Sequence, residues 1–284
     1  MIRRILVALD PDQDTPVATE AAIKLARIHD ASVTGLAVVD TSNIYPTGII
    51  GDPDQTHHAR NLWEELTDES REMARKLLDQ FEARIKRSGV RYSSITEEGA
   101  SFDRIVEGMK YHDLFIAGRD SHFFYNEPEK DSKTLAQVVK YGVAPTLVVL
   151  DDPLEISDVL IAYDGSRPAS RSLKSFAQLS PFGKDLNIEI LTVSTSSKEP
   201  EIENAENALT HAVNYLKEHR FDRVRQKLIT EPQPAECILE RQQDFDADLT
   251  VLGAHAVSAL KRLTFGSTTH EVLTRTQTPL LLTP

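Results

Sequence analysis

The sequence holds a single cysteine, Cys237, among 284 residues, so no internal disulfide can form. The run Cys237-Ile238-Leu239 reads as the inner face of a helix, which makes a buried thiol rather than a reactive one. Long apolar stretches are missing too. None approaches the ~20 residues a membrane helix needs. The apolar run after Arg3 and Arg4 is too short for a signal peptide and soon meets Asp10 and Asp12. A cytoplasmic protein, away from membranes, is the expectation. Positive charge is in deficit, with 32 Lys and Arg against 44 Asp and Glu, a net of -12. The deficit is even: 18 basic against 24 acidic residues up to position 150, and 14 against 20 beyond it. Such a surface repels phosphate backbones at long range, which argues against nucleic acid as a partner. Any bound nucleotide would need a local source of positive potential. Two catalytic signatures are absent. Without Gly-x-x-x-x-Gly-Lys-Ser/Thr a Walker-type ATPase is disfavoured, and without Gly-x-Ser-x-Gly so is a nucleophile elbow. The adjacent pair His57-His58 has no second pair at ligand spacing, so it reads as a solvated loop and not a metal site.

What the chain does have is an internal repeat. Ile5-Leu6-Val7-Ala8-Leu9-Asp10 matches Val159-Leu160-Ile161-Ala162-Tyr163-Asp164. Ile95-Thr96-Glu97 matches Ile229-Thr230-Glu231, and Asp113 to Gly118 matches Asp248 to Gly253. Ala144-Pro145-Thr146-Leu147 matches Thr278-Pro279-Leu280-Leu281. Four matches in one order mark a duplicated domain, with residues 1–150 and 156–284 as the two copies and an acidic Pro-containing link between them. Strands are expected at 3–9, 32–39, 91–96, 113–117 and 146–150, then at 158–163, 187–193, 224–230, 248–252 and 279–283. Continuous runs of Val, Ile and Leu suit a parallel sheet covered on both faces. The helix expected over 15–28 would place Val17, Ala21, Ala22, Leu25 and Ile28 on one face. Alternating strands and helices predict an α/β fold of two tandem doubly wound, five-stranded parallel-sheet domains. In the first copy an insertion, 41–60, precedes a long helix over 59–88. Ligands of doubly wound sheets sit beyond the carboxyl ends of the strands, here after Asp10 and Asp164 and after Gly118 and Gly253.

After Gly253 come Ala254, His255 and Ala256, then nine residues, then Gly266-Ser267-Thr268-Thr269. Gly266 would let backbone amides approach a ligand, and a helix opening at Ser267 or Thr268 would offer unpaired N–H groups and partial positive charge to a di- or triphosphate. Lys261 and Arg262 add positive charge within the loop. The same residues also read as an ordinary strand-loop-helix with a Ser/Thr cap, and spacing alone does not choose.

This combination of a duplicated half, an Asp ending the first strand, and a glycine loop with Gly-Ser after the fourth strand resembles the universal stress protein family, in its tandem form, over nearly the whole chain. The family's fold is adenine-nucleotide alpha-hydrolase-like. The resemblance implies ATP binding, with Mg²⁺ on the phosphates, in the second copy. Asp164 matches the acid beside the nucleoside, and Val193 the adenine wall. Gly253 matches the first loop glycine, and Gly266, Ser267, Thr268 and Thr269 match the phosphate-binding helix start. One departure is Ala256, where the family pattern has a second glycine. The resemblance also implies an internal pseudo-dimer paired through the last strands, with homodimerisation open and the protein partner unnamed. It implies a binding and regulatory module, in which nucleotide would order residues 253–266 and alter a partner surface. A slow ATPase or adenylate-using enzyme, and a nucleotide-free interaction protein, are the alternatives. The first copy departs further. Asp10 and Gly118 are kept, but Phe123-Phe124-Tyr125 follows, Ser132 stands where Gly266 would, and Glu127, Glu129 and Asp131 surround it. That copy reads as degenerate for ATP, with its aromatics in core or interface.

Overall fold

A computed structural model describes residues 1–11, 14–42, 53–123, 125, 134–150, 154–254 and 267–284, with backbone alone at 14, 53–59 and 267. The first half runs β1 (Arg4–Ala8), α1 (Asp14–His29), β2 (Ser32–Val39), α2 (Pro53–Lys86), β3 (Arg91–Glu98), α3 (Ser101–Met109), β4 (Leu114–Gly118), α4 (Thr134–Tyr141) and β5 (Thr146–Val149). The second repeats it as β6 (Asp158–Ala162), α5 (Arg167–Leu179), β7 (Asn187–Ser194), α6 (Glu199–Glu218), β8 (Arg223–Thr230), α7 (Pro234–Asp244), β9 (Leu249–Gly253), α8 (Ser267–Arg275) and β10 (Leu280–Thr283). Every expected strand is present within two residues of its expected ends.

All ten strands form one sheet, ordered β3-β2-β1-β4-β5-β10-β9-β6-β7-β8. Each half is parallel internally. The halves meet where β10 runs antiparallel to β5, with Leu281 opposite Leu147. The expected junction through the last strands is therefore the observed one. Strand residues alternate between two cores, one on each face of the sheet. Ile5, Val7, Val159 and Ile161 enter one, and Leu6, Ala8 and Leu160 enter the other. Both faces being apolar explains the unbroken hydrophobic runs. The repeat also carries a hydrogen-bond device. Asp113 Oδ2 accepts from Arg3 N and Arg4 N at 2.7 and 2.9 Å, and Asp248 Oδ2 accepts from Ser157 N and Asp158 N at 2.8 and 2.9 Å. Each aspartate ties the entry of its fourth strand to the entry of the first.

Three expectations change. The helix after β2 begins at Pro53, so His57 and His58 belong to α2 and not to a loop. Proline suits a first helical position because its missing N–H has no intrahelical acceptor to lose. On α1 the buried face is Ala18, Ala21, Ala22, Leu25 and Ala26, while Ile28 is exposed. Finally, Ser32 pairs with Arg91 and Asn187 with Arg223, so Arg91 and Arg223 are counterparts. The match of Ile95 to Ile229 is two residues out of register. Among the described residues no helix is long and apolar enough to cross a membrane.

One buried charge anchors the second half. Glu189, 2% exposed in the middle of β7, accepts from Arg241 Nε and Nη2 at 2.6 and 2.9 Å and pairs with Arg225 at 2.8 Å. Burial alone would push its carboxyl up, but the two guanidiniums outweigh that and hold it below the ordinary value of 4.5. A depressed carboxylate stabilises the fold fully above its unfolded pKa, and that contribution drains away as pH falls through 4.5 toward the folded value. Arg241→Ala should leave the buried carboxylate with Arg225 as its remaining ion-pair partner and cost about 3 kcal/mol in urea unfolding at neutral pH. Glu189→Gln should flatten the acid limb of the stability curve below pH 4.5, measured by the same titration.

Candidate functional site

In each half the strand order reverses between the first and fourth strands, β1/β4 and β6/β9. The connections leaving these neighbours depart to opposite sides, so a crevice opens beyond their carboxyl ends. Asp164 lies there, two residues past β6, and is exposed. Its Oδ1 accepts from Ser166 N at 2.9 Å in a tight turn through Gly165, whose φ of +75° favours glycine. Ser166 then caps α5, its hydroxyl accepting from Ala169 N at 3.3 Å.

β9 ends next to β6, at Gly253. The carbonyl of Gly253 accepts from Thr269 Oγ1 at 3.0 Å, which fixes the first turn of α8 against that strand end. Thr269 is buried and Thr268 half-buried. Val193, half-buried, stands near the carboxyl end of β7 on the other side of β6. In a parallel strand the N–H and C=O of one residue point to the same neighbour, and the direction alternates. Leu191 O accepts from Tyr163 N at 2.8 Å, so the Val193 N–H, two residues on, is directed over the end of β6. Asp164, Val193, Gly253 and the Ser267–Thr269 turn thus gather at one end of the sheet. Ala256, Gly266, Lys261 and Arg262 lie outside the described residues. Grooves of about 510 Å³ between α1 and α2 and about 590 Å³ beside α7 lie away from this crevice.

Gly253 has a packing reason of its own. A Cβ there would fall 2.5 Å from Pro168 C and 2.7 Å from Ala169 N, the backbone opening α5. The glycine lets a helix start approach a strand end.

The first half differs at the same positions. Asp10, counterpart of Asp164, is only 1% exposed and accepts from Phe123 N at 2.5 Å. Val38 is the counterpart of Val193, since both are seventh in their strands. Its N–H donates to Tyr125 Oη at 3.1 Å, and the Tyr125 hydroxyl donates to Leu9 O at 2.9 Å. In the second half the corresponding carbonyl, Tyr163 O, is served by Thr192 Oγ1 at 2.6 Å. The counterpart of Thr192 is Ala37, which has no hydroxyl, and the tyrosine fills the gap. Burial pushes the Tyr125 phenol above its ordinary range, so it remains a neutral hydroxyl. Phe123 is also buried, and Ser101 Oγ donates to its carbonyl at 3.0 Å. The expectation of core placement holds for Phe123 and Tyr125. Phe124, Glu127, Glu129, Asp131 and Ser132 lie outside the described residues.

The sequence profile described as "Universal stress protein family" matches residues 1–112 and 155–284. The chain belongs to the universal stress protein family. A universal stress protein of Synechocystis sp. is 32% identical over 148 residues, which are 52% of this chain and 49% of that relative. The chain thus aligns with about half the length of that curated relative. A solved universal stress protein of Archaeoglobus fulgidus superposes with a TM-score of 0.70 at 18% identity, covering 99% of this chain and 95% of that one. A Pseudomonas aeruginosa protein gives 0.65 at 18% identity, covering 99% and 93%. At such identity the likeness is one of fold. This universal stress protein is of the tandem type, with both copies on one chain as an intramolecular pseudo-dimer.

Replacing Gly253 by alanine should push the opening of α5 off the strand end. We expect a loss of about 1–3 kcal/mol by thermal or urea unfolding. Ala254→Gly, one residue on, should leave the α5 contact intact.

Proposed function

We propose that the protein is an ATP-binding regulatory module, with residues 156–284 as the nucleotide domain and residues 1–150 as its structural partner. One contrast carries the reading. At equivalent strand ends, Asp10 is buried and held by Phe123 N, whereas Asp164 is exposed at the end of the sheet where Val193 and the opening of α8 also lie. Those groups fit a nucleoside triphosphate by type. A carboxylate accepts from ribose hydroxyls, and a strand N–H meets the acceptor edge of adenine. A helix opening attracts phosphate through its N–H groups and dipole. Gly266, Ser267, Thr268 and Thr269 would hold the phosphates, with Gly253 and Ala256 flanking and Mg²⁺ accompanying the anion. Membership of the universal stress protein family supports the same assignment. Nucleotide would act on a protein partner by favouring one arrangement of the surface around α8, to the extent that it binds that arrangement better.

The test is equilibrium binding of labelled ATP to the full chain and to two variants. Gly266→Asp would place a carboxylate on the dipole the phosphates use, and should weaken ATP by about tenfold or more, roughly 1.4 kcal/mol. Asp164→Ala should weaken ATP and adenosine alike. Undiminished ATP affinity in Gly266→Asp would remove the assignment of the phosphate site.

A further inference from the structure

We propose that the first domain carries a latent binding site for a small planar ring bearing a hydroxyl, and that the chain fills this site with its own Tyr125. The inference rests on the first domain alone and stands whether or not the second domain takes ATP.

Two contacts define the occupant and a third holds the segment that carries it. The Tyr125 hydroxyl both donates, to Leu9 O at 2.9 Å, and accepts, from Val38 N at 3.1 Å. The Phe123 N–H is held by Asp10 Oδ2. Leu9 is one residue past β1, Val38 is in β2 and Asp10 is two past β1, the positions that Tyr163, Val193 and Asp164 occupy in the second domain. A ring with a donor–acceptor tip is thus held by a backbone carbonyl and a backbone N–H at the strand ends, as a bound ligand would be. Holding it has a conformational cost: Phe123 has a φ of +59°, where a bulky residue other than glycine is strained. The strain is tolerated because Phe123 is tied at both its N–H and its carbonyl, the latter by Ser101 Oγ at 3.0 Å. The pocket walls come from the sheet and the ring from the segment after β4. Removing the ring while keeping the strands should therefore leave a shaped cavity with an unpaired carbonyl and N–H, a combination that favours a phenol over a hydrocarbon of the same shape.

The experiment is chemical rescue in the full chain. Tyr125→Ala should lower Tm by on the order of 10 °C. Adding p-cresol at millimolar concentration should recover a substantial part of that loss, with little effect on the wild type. Toluene, which lacks the hydroxyl, should recover clearly less. The same gain should persist in Tyr125→Ala/Asp164→Ala, since the second domain does not supply it. No gain from p-cresol, an equal gain from toluene, or a gain that vanishes in the double variant would overturn the proposal. Should Tyr125→Ala fail to fold, Tyr125→Phe decides by amide hydrogen exchange. Loss of the hydroxyl should speed exchange at Val38 about tenfold or more while the middle of β1 stays protected, and unchanged protection at Val38 would overturn it.

Discussion

The antiparallel pairing of β5 with β10 is the constraint on which the molecule's symmetry depends. A five-stranded parallel sheet built as β3-β2-β1-β4-β5 leaves β5 as an exposed edge, a row of unpaired N–H and C=O groups. The duplicate provides the complementary edge, and three residue pairs close the seam. Because the pairing is antiparallel, the strands of the two halves run in opposite directions. Their carboxyl ends, and so their crevices, lie at opposite ends of one continuous sheet. Contacts off the sheet brace the join: Arg119 Nη1 donates to Thr276 O at 2.9 Å, and Lys24 Nζ to Leu154 O at 2.7 Å. Met1 N, donating to Gln178 O at 3.1 Å, and His29 Nε2, 2.9 Å from Pro181 O, join the halves as well.

Within each half, parallel geometry decides where chemistry can occur. Every crossover helix opens at the carboxyl end of a strand, so the partial positive charge of several helix starts collects at one end. On a chain with a net charge of -12, these helix starts are a local source of positive potential. The close approach that shapes this end comes from Gly253, which admits the start of α5 where a Cβ would collide. One residue thus serves packing and the outline of the crevice together.

The strand framework was legible in the sequence because a strand buried on both faces has to be apolar throughout. The edges were harder. β3 and β8 have one free side and hold half-buried and exposed residues with no fully buried one, so their sequences are weakly constrained and Ile95 could be matched to Ile229 two positions away from its structural counterpart. The polar residues opening α2 likewise carry little apolar periodicity, and the helix extended back to Pro53 through a stretch read as loop. At the site, the repeat put Asp164, Gly253 and the helix start at Thr269 at one end of the sheet, because strand ends follow from strand positions, and Val193, taken from the family resemblance, lies at that end too. The Tyr125 hydroxyl was not legible. Its partners are backbone groups of Leu9, just past β1, and of Val38 in β2, more than eighty residues earlier, and the path of the segment after β4 brings them together. A clue existed in hindsight at Ala37 and Thr192, where one copy has a hydroxyl for the strand-end carbonyl and the other does not.

That exchange shows how two copies of one fold came to differ. Asp164 is exposed, and its described hydrogen bond is a local one, from Ser166 N. A sealed crevice buries a phenol and a phenyl ring, about 1.5–3 kcal/mol for a large apolar side chain such as phenylalanine, against a strained backbone of about 1–3 kcal/mol at Phe123. Sealing is therefore close to neutral in strain and favourable once the hydrogen bonds of Tyr125 and Asp10 are included. Stability alone would seal both copies. The exposure of Asp164, against the burial of Asp10, is thus a difference between the copies that packing alone does not favour.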